Sequence, residues 1–343
     1  MESTRNRLIE LLEKNHQRYI SGQSLSEILN ISRSAIWKHM KELEKDGYEI
    51  EGVSKKGYRI VKSPDKVSEN TIQWGLKTSW LGKTIIHKPT TPTTQEVAHQ
   101  AAREGAPHGT VVIADEQTAG KGRMARPWQS TKNKGIWMSI LLNPDILPVM
   151  APQLTLLSAT VLAESLSQLT SAEPKIKWPN DIFIQHRKTA GILTEMQAEQ
   201  DQIQYVVIGI GLNVNQTEDD FQEALQSTAT SLKIETGKNW SIKYIIQHIL
   251  KNFECAYDSF LEEGFPAVKE KWESYGYRIG EQIRIRTRHK EWEATFLGIA
   301  EDGALLSRTE NDGVRKIYSA EIEWFTKGET NNAGKTRFAE DES

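Results

Sequence analysis

Between Thr84 and Leu212, strand-like segments follow one another with too few helices to cross between them. The segments are Thr84–His87, Thr110–Asp115, Gly135–Leu142, Lys175–Trp178, Ile182–Ile184, Ala190–Glu195 and Tyr205–Leu212. Only two helical stretches interrupt them, Gln95 to about Glu104 and about Gln153 to Leu169. A doubly wound parallel sheet needs a crossover helix for nearly every strand pair, so this grouping predicts an α+β unit.

The first sixty residues follow a different pattern. Leu8, Ile9, Leu11 and Leu12 fall on one face of a helix; Leu25–Leu29 gives a short second helix with Ser24 as its N-cap. Ser32 caps a third helix, whose apolar residues Ile36, Trp37, Met40 and Leu43 are helically spaced. Strands at Tyr48–Ile50 and Tyr58–Ile60 flank the basic connection Gly52–Gly57. Helix, short helix, turn, longer helix and basic hairpin is the layout of a winged helix-turn-helix. In that layout Ser32, Arg33, Ser34 and Lys38 face a major groove, and Lys55 and Lys56 meet phosphates. A small helical domain used for protein contacts is the other reading. Residues 1–62 hold 12 lysines and arginines against 9 acids, a net of +3 in a chain of overall charge −3, which permits a nucleic-acid-binding head without requiring one.

Short strands resume near Ile283 and continue to Phe325, with turn signals at Glu301-Asp302-Gly303 and Asn311-Asp312-Gly313, which predicts a small β-barrel. The chain therefore divides into 1–62 (winged helix-turn-helix), a linker at 63–83 beginning at Ser63-Pro64-Asp65, a central unit at 84–272, a C-terminal unit at 273–326 and a disordered polar tail at 327–343. Cys255, alone in 343 residues, excludes a disulfide framework, and its helical surroundings predict a packing role. With no signal peptide and no apolar run long enough to span a bilayer, a cytoplasmic protein is expected.

Chemistry concentrates in four segments. Gly120-Lys121-Gly122-Arg123-Met124-Ala125-Arg126-Pro127-Trp128 packs three cations between glycines. Glycines let several N–H groups converge on one anion, and arginines add forked donors. The segment is either a polyanion cradle or a solvated basic turn, and it lacks P-loop spacing. Lys175–Asp181 is a strand stopped by Pro179 that delivers Lys177, Trp178, Asn180 and Asp181 to one corner. Lys188 stands at the entrance to the apolar strand Ala190–Leu193. Ile208–Asn215 holds Gly209 and Gly211 but has Val214 where a dinucleotide fingerprint needs a third glycine; its glycines suit close approach of a ligand.

Taken in this order, behind a DNA-binding head, these segments resemble the biotin protein ligases, and more closely the bifunctional kind that doubles as the biotin operon repressor. The resemblance runs from the head to about Phe325 and is carried by Gly120–Trp128, Lys177–Asp181, and Lys188 with Ala190–Leu193. It implies a central biotin/lipoate-ligase-like catalytic domain and an SH3-like C-terminal domain. The implied reaction joins biotin to ATP as biotinyl-5′-AMP, then transfers biotin to a lysine of a biotin carboxyl carrier protein. Magnesium is expected with the ATP, with no metal-ligand cluster readable from spacing. The resemblance makes Lys188, Arg123 and Arg126 the catalytic cations. It puts Thr93, Thr94, Gln95, Gln117, Gly120, Lys121, Gly122, Arg123, Lys188, Gly191 and Gly209 around biotin. Lys121, Arg123, Trp128, Lys177, Asn180, Asp181, Lys188 and Asn213 surround the nucleotide. It also implies operator DNA as a partner and a homodimer when the adenylate is bound.

Two departures from the family pattern stand out. Pro92-Thr93-Thr94 replaces an aspartate-serine-threonine beginning, and Ala125 takes the place of a third glycine in the basic loop. A ligase without DNA binding and a non-catalytic biotin sensor are the alternatives. The Lys177–Asp181 segment argues against a lipoate ligase.

Overall fold

The computed structural model describes residues 4–15, 18–62, 64, 66–288, 290–309 and 313–325. The boundary residues Ser63 and Asp65, the turn residues Asn311 and Asp312, and the segment 327–343 lie outside them.

The N-terminal unit comprises α1 (Thr4–Lys14), α2 (Gly22–Leu29), α3 (Arg33–Lys45), β1 (Glu49–Val53) and β2 (Gly57–Lys62). Leu8, Leu12, Leu25, Ile36, Met40, Leu43 and Ile60 form its core. The N-cap of α2 is Ser21, whose hydroxyl accepts from Ser24 N–H, and not Ser24 itself. Ser32 caps α3 as expected, and Asn30 turns the chain between the two helices at φ +53°. Trp37 departs from the expected core face: it is 56% exposed. The helical spacing of Ile36, Met40 and Leu43 places it one residue off their stripe, on the solvent side.

A short helix, α4 (Glu69–Gln73), starts at a Ser68–Thr71 capping box inside the segment expected as linker. Ile72 enters the core of the central unit, while Trp74 joins the N-terminal core. Trp74 packs 5.7 Å from the Tyr48 ring, with the Arg5 guanidinium 5.4 Å from its own.

The central unit comprises β3 (Ile85–Lys88), α5 (Thr94–Arg103), β4 (Val111–Ala114), β5 (Gly135–Leu142), α6 (Ala151–Leu169), β6 (Lys175–Lys177), β7 (Asp181–Ile184), β8 (Arg187–Glu199), β9 (Gln202–Asn213), α7 (Glu223–Gln226), α8 (Leu232–Thr236), α9 (Ile242–Glu263) and α10 (Pro266–Tyr275). Its seven strands run in the order β3-β4-β5-β9-β8-β7-β6, and β3 with β4 is the one parallel pair. This is the expected α+β arrangement. Helix α6 packs on α9, and α5 lies against β4, β5 and β9. Contrary to the sequence expectation, Pro148–Leu169 is long and apolar enough to cross a membrane by length and composition. Its side chains are mostly buried in the core between sheet and α9, which explains an apolar helix without a lipid. Cys255 also departs from expectation: it lies on the exposed side of α9 and has no packing role.

The C-terminal unit comprises β10 (Gln282–Arg286), β11 (Glu291–Ile299), β12 (Leu305–Thr309), β13 (Gly313–Ile317) and β14 (Glu321–Trp324). These form one antiparallel sheet in the order β13-β12-β11-β10-β14. Ile283, Ile285, Phe296 and Leu305 continue the central core without a break, so the end of β14 is held close to the central unit.

Candidate functional site

The basic loop is a distorted hairpin. Trp128 N–H donates to Gly120 O and Gly122 N–H to Arg126 O, each at 2.8 Å. Gly120 is required by space, because a Cβ there would lie 2.6 Å from Trp128 O. At the tip, Met124 and Ala125 both hold φ +56°. Left-handed backbone costs a residue with a Cβ about 1–2 kcal/mol, so the departure at Ala125 falls where the backbone favours glycine.

Of the loop's cations, Arg123 turns inward. Its Nη1 donates to Asn180 Oδ1 at 3.3 Å. Burial lowers the Arg123 pKa, against the opposing pull of Asp181 and Glu321. Lys121 and Arg126 are exposed; Lys121 pairs with Glu96 at 3.3 Å, and Arg126 pairs with Glu321 of β14.

The Lys177–Asp181 corner is formed where β6 turns into β7. Pro179 follows a cis peptide bond, and Trp178 is buried, its Nε1 donating to Gly303 O at 3.3 Å. Asn180 Nδ2 donates to Ile192 O at 2.8 Å, which ties the corner to β8. Lys177 points between aromatic rings, 5.4 Å from Phe183 and 5.5 Å from Trp324. Burial lowers its pKa, with Asp181 acting the other way and Lys188 adding to the depression.

Lys188 is the second residue of β8, held by backbone bonds to Thr228 and Thr230. Its Nζ lies 2.7 Å from Asp181 Oδ1 and 5.3 Å from the Trp128 ring. The pair is close, so Asp181 fixes where the Lys188 ammonium stands. Arg123, Lys177 and Lys188 thus converge on Asp181, with Glu321 and Glu323 further out and Arg126 paired to Glu321. An arrangement with excess positive charge in a partly desolvated corner favours a polyanion.

Beside this corner lies a polar slot. Thr93 caps α5, and Thr94 N–H donates to Gln117 Oε1 at 2.8 Å. Gln117 Nε2 donates to Ser130 Oγ at 2.8 Å. Thr94 Oγ1 lies 2.8 Å from Ser139 Oγ, which donates to Gln95 Oε1 at 2.9 Å. Gly209 serves Gln95: a Cβ there would lie 2.8 Å from Gln95 Oε1. Gly191 and Gly211 face each other across β8 and β9 under the Trp128 indole. A Cβ on Gly211 would lie 2.5 Å from Trp128 Nε1, and one on Gly191 3.3 Å from the ring. The glycine cradle expected for a ligand thus holds Trp128, whose Nε1 is buried without a hydrogen bond.

The structure brings together Thr93, Thr94, Gln95, Gln117, Gly120, Arg123, Trp128, Lys177, Asn180, Asp181, Lys188, Gly191 and Gly209. Gly122 lies in the hairpin between the exposed Lys121 and the inward Arg123. The Asn213 amide is engaged inside the protein, donating to Thr230 O and accepting from Gln216, each at 3.0 Å. Sequence reasoning missed Ser130, Ser139, Glu195 and Glu321. Ser139 alternates with apolar neighbours on a strand, a polar position that could have been noticed; Glu321 comes from another unit and carries no local signal.

In the N-terminal unit, Ser32, Arg33, Ser34 and Lys38 are exposed at the start of α3 together with Trp37. Lys55 and Lys56 are exposed at the tip of the β1–β2 hairpin. These side chains all face solvent.

Three family profiles match the chain: HTH domain over residues 4–59, Biotin/lipoate A/B protein ligase family over 88–213, and Biotin protein ligase C terminal domain over 279–324. The chain is similar to the bifunctional ligase/repressor BirA of Bacillus subtilis (strain 168), 48% identical over 324 residues that cover 94% of this chain and 99% of that protein. Its counterpart in Escherichia coli (strain K12) is 29% identical, over 90% of this chain and 93% of that protein. Among solved structures, the biotin protein ligase from Aquifex aeolicus in complex with biotin and ATP aligns with a TM-score of 0.62 and 32% identity, covering 70% of this chain and 98% of that one.

Proposed function

We infer the activity from one premise: the chain belongs to the bifunctional biotin protein ligase/repressor family. It is a biotin–[acetyl-CoA-carboxylase] ligase that carries an N-terminal helix-turn-helix DNA-binding domain. Its protein substrate is the biotin carboxyl carrier of such a carboxylase, and it acts in the cytoplasm.

In the first step a carboxylate oxygen of biotin attacks the α-phosphorus of ATP. The bond to the bridging oxygen breaks, giving biotinyl-5′-AMP and pyrophosphate. Bringing a carboxylate to a polyphosphate gathers negative charge at one point, and the convergence of Arg123, Lys177 and Lys188 on Asp181 is the observation that carries this reading. Lys188 bridges the biotin carboxylate and the α-phosphate, released from Asp181 as the anion arrives. Arg123 holds the adenylate from the loop side, and Arg126 stands nearer the pyrophosphate. Lys121, Asn180 and Asp181 line the nucleotide side. Trp128 and Asn213 lie toward the base.

The Thr93, Thr94, Gln95 and Gln117 slot takes the ureido ring of biotin, with Gly120, Lys121 and Gly122 closing over it, while Gly191 and Gly209 act from beneath through Trp128 and Gln95, the side chains they make room for. In the second step an uncharged lysine amine of the carrier attacks the mixed anhydride, and AMP leaves. No enzyme-bound intermediate is required. Among the described residues, no group of three histidine, cysteine or acidic side chains could hold a metal. Magnesium enters with the nucleotide phosphates.

Biotinyl-5′-AMP also acts as corepressor, favouring a homodimer that binds a palindromic operator through Ser32, Arg33, Ser34 and Lys38, with Lys55 and Lys56 on phosphates. The deciding experiment is incubation with biotin, ATP and magnesium, followed by mass spectrometry for protein-bound biotinyl-5′-AMP. Its formation, with label reaching a carrier lysine, is the expected result; binding of biotin without adenylate would make the chain a sensor instead.

A further inference from the structure

We propose that Glu195, outside the slot, is the positioning residue that fixes the donor and acceptor directions offered to the biotin ureido ring. The proposal rests on the assignment of the Thr94–Gln117 slot to that ring.

Glu195 lies on β8 opposite Val207, two positions beyond Leu193, which faces Gly209. Its side chain is 46% exposed. Even so, its Oε2 receives two donors from α5: Gln95 Nε2 at 2.9 Å and His99 Nε2 at 3.0 Å. Gln95 and His99 are four residues apart on one helix face, so one carboxylate pins the first turn of α5 to the sheet. The far nitrogen of His99 lies 3.3 Å from the Tyr205 hydroxyl. With Nε2–H directed to the carboxylate, Nδ1 is left to accept from that hydroxyl.

The consequence runs inward. The Glu195 oxygen at 2.9 Å, with the weaker acceptor Leu193 O at 3.4 Å, takes the –NH₂ end of the Gln95 amide and turns Oε1 toward Ser139. Ser139 has a single hydroxyl proton, which goes to Gln95 Oε1 at 2.9 Å. At its 2.8 Å contact with Thr94 Oγ1, Ser139 is then the acceptor, and Thr94 the donor. Thr94 Oγ1 also lies 3.2 Å from Gln117 Oε1, so its one proton is divided between Ser139 and Gln117 and it presents only lone pairs elsewhere. Gln117 belongs to the same network: its Oε1 accepts from Thr94 N–H at 2.8 Å and its Nε2 donates to Ser130 at 2.8 Å, which leaves one amide N–H for a ligand. The slot therefore offers one acceptor and one donor side by side, the complement of the N–H and C=O of a cyclic urea. Buried networks of this kind hold their direction only while every member is satisfied, and Glu195 is the member that sets the direction.

The test compares biotin with 2-iminobiotin, in which C=NH replaces the ureido C=O. Glu195→Leu removes the nearer acceptor, leaving only Leu193 O at 3.4 Å to hold the Gln95 amide against inversion. It should raise KM for biotin about tenfold, the effect of one misdirected hydrogen bond, with KM for ATP unchanged. It should also narrow the preference for biotin over 2-iminobiotin. Glu195→Gln retains an acceptor oxygen and should restore both. An unchanged biotin-to-iminobiotin ratio in Glu195→Leu, even with weaker activity, would reduce Glu195 to a clamp on α5 and overturn the proposal. If Glu195→Leu does not fold, Ser139→Ala interrupts the same chain and must narrow the ratio in its place. Gln117→Ala is the separate control: an unchanged KM for biotin there would refute the slot assignment itself, whatever Glu195 does.

Discussion

Lys188 and Asp181 form an ion pair 2.7 Å apart at the centre of the site. Asp181 holds the Lys188 ammonium in place, and an ammonium has three donors, so one pair leaves it able to meet a ligand anion. Lys188→Ala should lower the rate of biotinyl-5′-AMP formation by about a hundredfold to a thousandfold, the usual effect of removing one preorganised donor at a developing charge. Single-turnover measurement of pyrophosphate release checks this. A rate within about threefold of the parent would remove Lys188 from the reaction.

Gly211→Ala should disrupt the seat of Trp128, because the added Cβ would lie 2.5 Å from its Nε1. The neighbouring atom belongs to a rigid ring, so the expected destabilisation is about 1–3 kcal/mol. A shift in indole fluorescence should accompany it. Gly191→Ala, with 3.3 Å available, should be milder in both respects. Equal effects at the two positions would contradict the packing described.

Lys177 carries its charge at a cost to folding. Burial depresses its pKa in the folded protein relative to the ordinary lysine value. Between the depressed and the ordinary value, the unfolded chain binds more protons, so stability rises with pH across that window. Below it, the penalty is fully present. Lys177→Met should therefore raise the denaturation midpoint at neutral pH, with the gain shrinking as pH approaches the ordinary lysine range. Guanidinium titrations at neutral and alkaline pH test the sign. The same variant should show less stabilisation by ATP than the parent.

Arg33→Ala with Lys38→Ala should weaken operator binding, and Lys55→Ala with Lys56→Ala should also flatten its dependence on salt. Each cation withdrawn from a phosphate lowers the slope of log affinity against log salt by about one unit. Fluorescence anisotropy at several salt concentrations reads both quantities. An unchanged slope together with unchanged affinity would place the DNA surface elsewhere on the N-terminal unit.

Glu321→Ala should release the basic loop from the C-terminal unit, since Arg126 pairs with that carboxylate. Trypsin should then cut faster after Lys121 and Arg123 in the ligand-free protein. Bound adenylate should slow cleavage in both proteins. Equal cleavage rates with and without adenylate would mean that the loop does not close over it.

The sequence carries local signals strongly and cross-chain ones hardly at all. Ser32 and the Gly135–Leu142 strand are readable because a cap or a strand is specified by its own neighbours. Trp37 is easily misplaced because an apolar residue one position off the buried stripe looks like part of it; only the packing of Ile36, Met40 and Leu43 decides which face turns inward. Gly209 is legible as a place of close approach, but its occupant is not, because Gln95 arrives from a helix far earlier in the chain. Glu321 and Trp324 are invisible for the same reason: they reach the site from the last described strand.

Ile72 and Trp74 stand two positions apart and belong to two different cores. Two residues of chain span at most about 7 Å, so there is no leash between the DNA-reading unit and the catalytic unit. Gln247 of α9 reinforces the join, donating to Ile72 O at 2.9 Å and Trp74 O at 2.6 Å. The reading head is carried wherever the enzyme goes. In a pair of copies on one duplex, the distance between the two recognition helices is then dictated by how the catalytic units meet. The ruler that measures the operator is the enzyme itself.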